Sequence, residues 1–103
     1  VLDLLKREEP ATAIPTISEV ASWALKNKLE PKPLITYLER ESTILAITPE
    51  IALLAGEIHF QIKRFTPTFG MVDAMIYATA LYYDFKIVTG DSHFKAKKNV
   101  VMI

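Results

Sequence analysis

The feature that most constrains this chain is the alternation of short strand-like segments with longer segments of helical periodicity. Thr43–Ile47 (TILAI) and Lys86–Thr89 (KIVT) are short and rich in β-branched and aliphatic residues, a composition typical of buried strands. Between them, residues 48–64 and 72–83 repeat apolar side chains every three to four positions, which predicts helices. Strands that alternate with helices favour an α/β domain with a mainly parallel sheet.

Proline and capping residues set the remaining predicted boundaries. Pro10 is expected to stop a helix, Ser18 to cap one, and Thr48 with Pro49 to begin another. The other elements predicted are the end of a helix over 1–9, a strand over 11–16, helices over 18–28 and 32–41, and a strand over 99–103.

Composition narrows the classes of function. At 103 residues, half of them apolar and 23% charged, the chain is expected to form one globular domain. Basic and acidic residues number 12 each, so net charge does not indicate a polyanionic partner. The absence of cysteine excludes disulfides, zinc–thiolate sites and thiol nucleophiles, and suits a reducing cytoplasm. No apolar run approaches the roughly 20 residues of a membrane-spanning helix.

Three carboxylates lie where an α/β sheet collects ligands. Glu19 follows the strand predicted around Ile14, and Asp91 follows the strand KIVT. Asp73 lies in the first turn of its predicted helix, where the helix dipole favours an anion. Because ligands gather at the carboxyl ends of parallel strands, these three side chains are expected at one rim of the sheet.

Clustered carboxylates imply a hard metal ion. Such a cluster is costly unless a cation neutralises it, and ligands that are all oxygen select Mg²⁺ or Mn²⁺. A bound divalent ion could activate water and stabilise charge that develops on a phosphodiester. With 12 acidic residues in the chain, position alone selects these three only weakly.

Three ordered motifs carry a family resemblance. Ser18-Glu19 opens the helix after the second strand in PTISEVASWA, and a Gly-x-x-Asp-Ala-x-Ile-x-Ala-x-Ala segment spans residues 70–80. A short strand then ends in Thr-x-Asp-x-x-Phe over residues 89–94. In order and spacing, from about Pro10 to Ile103, the chain resembles the PIN-domain family, especially the VapC-type toxins of toxin–antitoxin pairs.

The resemblance implies a fold, an activity and partners. The fold is a three-layer α/β domain with helices on both sides of a mainly parallel sheet. The activity is a metal-dependent endoribonuclease that uses Mg²⁺ or Mn²⁺, with Glu19, Asp73 and Asp91 as the metal-ligating, catalytic carboxylates. The partners are an RNA substrate, a small antitoxin protein and a second copy of the chain in a homodimer, in the cytoplasm and away from membranes.

One departure from the family pattern concerns the amino terminus. PIN domains begin with a central strand that ends in a further catalytic Asp, and no such segment is evident here. Asp3 in VLDLL precedes Glu19 by only 16 positions, which leaves too little room, so a helix-surface position is favoured. We therefore expect residues 1–103 to be one PIN-like domain lacking its first strand, unless another segment fills the gap. Without that strand the chain is expected to be inactive.

Two other interpretations stay open. A non-catalytic PIN-like module, acting as a binding partner or scaffold, would also suit a missing first strand. A nuclease directed at DNA would use the same carboxylates, since nothing in the sequence identifies a group that reads a 2′-hydroxyl.

Overall fold

The computed structural model describes residues 3–6, 9–89 and 98–102, which form five strands and four helices. The strands are β1 (Asp3–Lys6), β2 (Glu9–Ala13), β3 (Thr43–Leu45), β4 (Lys86–Thr89) and β5 (Val100–Met102). The helices are α1 (Ile14–Lys26), α2 (Pro31–Glu41), α3 (Pro49–Lys63) and α4 (Met71–Tyr83). The α/β class expected from the sequence is confirmed. Among the described residues, no helix is both long and apolar enough to cross a membrane.

The five strands form one sheet in the order β3-β2-β1-β4-β5. The outer pairings, β2 with β3 and β4 with β5, are parallel. The central strand β1 runs antiparallel to both β2 and β4. It follows that β2 and β4 run in the same direction, so their carboxyl ends lie at the same edge of the sheet.

Strand β1 corrects two expectations about the amino-terminal segment. The end of a helix was predicted there, with a gap in the middle of the sheet, yet residues 3–6 form the central strand. Leu4 pairs with Ala11 of β2 on one side and with Ile87 of β4 on the other. A short apolar run does not distinguish helix from strand by periodicity. The strand conformation prevails because it pairs backbone groups that β2 and β4 would otherwise leave unpaired.

Helix α1 begins four residues before the predicted cap. Its N-cap is Ala13, and Pro15 lies at one of the first two helical positions, where the missing N–H costs no hydrogen bond. Ser18 is therefore inside the helix and is not its cap. The strand expected over residues 11–16 ends at Ala13, because α1 begins at the next residue. Glu19 consequently projects from the second turn of α1.

Helix α3 begins as the sequence predicts. The Thr48 hydroxyl accepts a hydrogen bond from the Ile51 N–H at 3.3 Å, and Pro49 occupies the first helical position. The hydroxyl thereby satisfies one of the backbone donors that a helix amino terminus leaves free.

Replacing Thr48 with alanine should lower the free energy of unfolding by about 0.5–2 kcal/mol, because the Ile51 N–H loses its acceptor. Urea denaturation measures this difference. The control is Thr36→Ala in the exposed middle of α2, where alanine's helix propensity predicts no loss. Equal destabilisation by the two substitutions would contradict the capping role.

Helix α4 is the centre of the core. It packs against α3 and also contacts α1, β2 and β4. Small side chains let these elements approach closely, and six of the 13 residues of the helix are buried: Ala74, Ile76, Tyr77, Ala78, Thr79 and Ala80. Asp73 immediately precedes this buried stretch, so the core fixes its position at the start of α4.

Candidate functional site

Glu19 is an exposed carboxylate whose surroundings disfavour its charge. Partial burial raises the pKa of Glu19 above its ordinary value, and the negative charge of Asp73 raises it further. The second cause shows that the two carboxylates, which lie 54 positions apart in the sequence, are close in the fold.

Asp73 is half-buried at the third position of α4. Its Oδ2 accepts a hydrogen bond from the backbone N–H of Gly70, the N-cap residue, at 3.2 Å. The helix dipole also stabilises a negative charge in this first turn. The Gly-x-x-Asp spacing of the sequence is thus a capping arrangement that holds the carboxylate in one orientation.

Together the two carboxylates form a site that suits a hard cation. Helix α1 brings Glu19 to the amino-terminal end of α4, where Asp73 is held. Their mutual repulsion would be relieved by a divalent ion between them, and their oxygen donors match the preferences of Mg²⁺ and Mn²⁺. The proximity of the two oxygen ligands is therefore what fits these residues to a metal.

Asp91, the third carboxylate predicted, lies outside the described residues. Strand β4 ends at Thr89, two positions earlier, at the sheet edge where β2 also ends and α1 begins. Within the described part of the chain, no group of three or more acidic or histidine side chains is arranged to hold a metal. The structure thus brings together two of the three predicted residues.

The main chain of Asp3 lies at the same sheet edge. We expected this residue on a helix surface, but it belongs to β1, where it pairs with Val88 near the end of β4. Because β1 is antiparallel to its neighbours, its first residue lies beside their last ones.

Sequence reasoning missed a cavity of about 490 Å³ between α1 and α2. Its lining residues are Thr16, Glu19, Val20, Trp23, Leu34, Tyr37 and Leu38. The Trp23 side chain in this lining is 55% exposed. The Thr16 hydroxyl is buried and has no hydrogen-bond partner among the residues that the structure describes. The signal in the sequence was the helical spacing of Thr16, Glu19 and Trp23 along one face.

Comparison with protein families decides the identity. The family model described as the PIN domain matches residues 1–100. The chain belongs to the PIN-domain family. PIN domains are generally nucleases and typically use divalent metal ions, so the paired carboxylates of this PIN domain lie in a fold with that chemistry. No curated protein matches the chain, and neither does any solved structure.

Replacing Glu19 with glutamine should stabilise the metal-free PIN domain at neutral pH. Because the pKa of Glu19 is raised, the folded state binds its proton more tightly than the unfolded chain does. That stabilisation is complete below the ordinary value of 4.5 and is lost as pH rises through the raised pKa. We therefore expect the melting temperature of the variant at pH 7 to lie above that of wild type, with the difference vanishing at about pH 4.

Adding Mn²⁺ should reverse this difference, so that wild type has the higher melting temperature. The ion should raise the melting temperature of wild type and raise that of Glu19→Gln much less, since one ligand is lost. Glu39→Gln, on the exposed face of α2, is the matched control and should respond like wild type. A Mn²⁺ response as large in Glu19→Gln as in wild type would remove Glu19 from the site.

Proposed function

We propose that this PIN domain is a divalent-metal-dependent endoribonuclease that hydrolyses RNA phosphodiester bonds. The observation that carries the proposal is that α1 and α4 bring two carboxylates, Glu19 and Asp73, close together; burial first, and the charge of Asp73 second, raise the pKa of Glu19. A structural ion pair would join opposite charges, whereas two like charges held together favour a cation between them. Because PIN domains are generally nucleases, we propose that this cation serves phosphodiester hydrolysis.

The chemistry follows from what each side chain can do. Hydrolysis adds a hydroxyl to phosphorus and a proton to the leaving sugar oxygen. Mg²⁺ or Mn²⁺ held by these residues would activate water for the attack and offset charge on the phosphate oxygens. Asp73, held by the Gly70 N–H, would give one carboxylate ligand, and Glu19, reaching from α1, would give a second. We assign Asp91, which follows β4, as a third.

The setting we propose is a toxin–antitoxin pair in the cytoplasm. The support is the resemblance to VapC-type toxins in the Ser18-Glu19 motif, the segment over 70–80 and the segment over 89–94. In that setting a small antitoxin protein binds the nuclease and restrains it, and the nuclease itself is a homodimer. The substrate is RNA.

Cleavage assays test the activity directly. The protein is incubated with a labelled RNA, and with a DNA of the same sequence, in Mn²⁺, in Mg²⁺ and in excess EDTA. We expect cleavage of RNA in either metal and none in EDTA. Cleavage that persists in EDTA would refute the metal mechanism, and cleavage of DNA alone would assign the DNA-directed alternative.

Calorimetric titration separates a nuclease from a non-catalytic PIN-like module. We expect Mn²⁺ to bind at millimolar concentration or below, and to bind more weakly when Glu19 is glutamine. A protein that neither binds Mn²⁺ in that range nor cleaves RNA would be assigned to the scaffold or partner class.

A further inference from the structure

The cavity between α1 and α2 is lined by two exposed aromatic side chains and carries little charge. Trp23 of α1 is 55% exposed and Tyr37 of α2 is 56% exposed, so both rings are accessible to an occupant. Among the described residues of the lining, only Glu19 is charged, and most of the others are aliphatic. Such a lining suits an uncharged, planar group and does not suit a phosphate.

The cavity is continuous with the paired carboxylates, because Glu19 belongs to both. Its side chain lines the cavity, and it is also the residue that α1 brings close to Asp73. Trp23 follows Glu19 by about one helical turn, roughly 6 Å along the axis, on the same face of α1. An occupant of the cavity therefore lies beside the position proposed for the metal and the scissile phosphate.

We propose that this cavity is a nucleobase subsite, in which a base next to the scissile phosphate of the RNA stacks on Trp23. Every base has a flat π-face, so an aromatic side chain binds bases by stacking with little sequence preference. Tyr37, on the facing helix, gives the base a second aromatic contact. The subsite rests on the proposed function, since it positions the strand that the carboxylates would cleave.

A buried hydroxyl at the cavity supplies a hydrogen bond for the edge of the base. Thr16 lines the cavity and is 3% exposed, and its Oγ1 is without a partner among the described residues. A buried polar group without a partner is unfavourable and uncommon. Threonine in a helix populates two χ1 rotamers, so this hydroxyl can turn toward an occupant. A base edge that pairs with it would give the subsite a preference among the bases.

Lysines around the turn between α1 and α2 suit the strand that would carry the base. Lys26 ends α1, Lys28 lies in the turn, and Lys32 lies in the first turn of α2; all three are exposed. Three lysines and one glutamate give residues 26–32 a net charge of +2. A strand that runs from the carboxylates past Trp23 toward this turn meets positive charge for its next phosphates. This charge favours RNA over an apolar protein segment as the occupant.

Fluorescence of Trp23, the only tryptophan of the chain, reports directly on the subsite. The probes are the four ribonucleoside 5′-monophosphates, which have no internucleotide bond to cleave, and ribose 5-phosphate, which has no base. We expect saturable quenching by the nucleotides, with Kd on the order of 1 mM for at least one of them, and none by ribose 5-phosphate. Free N-acetyltryptophanamide, titrated in parallel, corrects for absorption by the nucleotides and for collisional quenching.

Substitution of Trp23 tests the subsite in the cleavage reaction. Trp23→Leu should raise KM for RNA by about 5- to 100-fold and leave kcat nearly unchanged, because stacking contributes to binding and not to the chemical step. Trp23→Phe keeps an aromatic face and should retain most of the affinity. Phe60→Leu removes a ring of α3 that is 65% exposed, and as the control it should leave KM unchanged.

Thr16→Val tests the hydrogen bond to the base. The melting temperature should be equal to or above that of wild type, since a buried hydroxyl without a partner is removed. The nucleotide that wild type binds most tightly should bind at least about threefold more weakly. An unchanged affinity would overturn the hydrogen-bonding role of Thr16.

The outcomes separate the subsite from the nuclease. Equal quenching by ribose 5-phosphate, no quenching by any nucleotide, or an unchanged KM in Trp23→Leu would overturn the subsite and leave the cavity to a protein occupant. If RNA is cleaved in the absence of such quenching, the subsite alone is refuted. Saturable quenching by nucleotides in a protein that does not cleave RNA would support the subsite and refute the proposed nuclease.

Discussion

Replacing Asp73 with asparagine should reduce metal-dependent RNA cleavage by at least about 100-fold. Loss of a group that merely orients a metal ligand costs about 10–100-fold, and Asp73 is proposed as a ligand itself. The amide keeps the shape of the carboxylate and can still accept the Gly70 N–H, but it has no charge with which to hold the ion.

The loss should not come from unfolding. A negative charge in the first turn of a helix is worth only about 0.3–1 kcal/mol, a small part of a domain's stability. Circular dichroism and a melting temperature within a few degrees of wild type would show that the fold is kept. Rates are measured with excess enzyme, so that a weak residual activity is distinguished from none.

Asp84→Asn is the matched control for this experiment. It makes the same chemical change at the other end of α4, where Asp84 is exposed and has φ 58, a left-handed conformation that asparagine tolerates well. An uncharged residue at a helix carboxyl terminus is also favoured by the dipole. Cleavage should stay at the wild-type rate. Equal activity in the Asp73 and Asp84 variants would remove Asp73 from the catalytic site.

The elements that the sequence predicted well are those with local chemical signals. Thr48 and Pro49 specify the start of α3, and α4 begins at Met71, one residue before the predicted start. The apolar segment KIVT is β4 with the predicted limits, Lys86–Thr89. Asp73 was correctly placed in the first turn of its helix for the same reason, since the residues that cap α4 adjoin it.

The elements that the sequence predicted poorly depend on distant partners. Residues 3–6 form a strand because they pair with the edges of β2 and β4. Those edges lie elsewhere in the sequence, so the local pattern of residues 3–6 does not predict the pairing. The predicted start of α1 was four residues too late, because Ser18 resembles a helix cap whereas Pro15, in the first turn, marks the true start. The proximity of Glu19 to Asp73 was anticipated from sheet-edge reasoning and ordered motifs, whereas its effect on the pKa of Glu19 requires the packed helices.

Replacing Phe69 with alanine should be the most destabilising single change considered for this chain. Phe69 is fully buried at the junction between the loop and α4, and its backbone N–H donates to the Thr66 carbonyl at 3.0 Å. Truncation of a buried phenylalanine costs about 3–5 kcal/mol, because transfer free energy is lost and a cavity remains. For a domain of this size that is a fall in melting temperature of roughly 12 °C or more.

Phe65→Ala separates burial from residue type. The same substitution four positions earlier removes a ring that is 82% exposed, with the Arg64 guanidinium 5.8 Å from its centroid. Its cost should be within about 0.5 kcal/mol, as for other exposed positions. Urea denaturation of both variants gives the difference, and equal costs would contradict the burial of Phe69.

Because Phe69 directly precedes the Gly70 cap, its loss should also loosen Asp73. The Phe69 variant, assayed well below its melting temperature, should therefore bind Mn²⁺ more weakly than the Phe65 variant does.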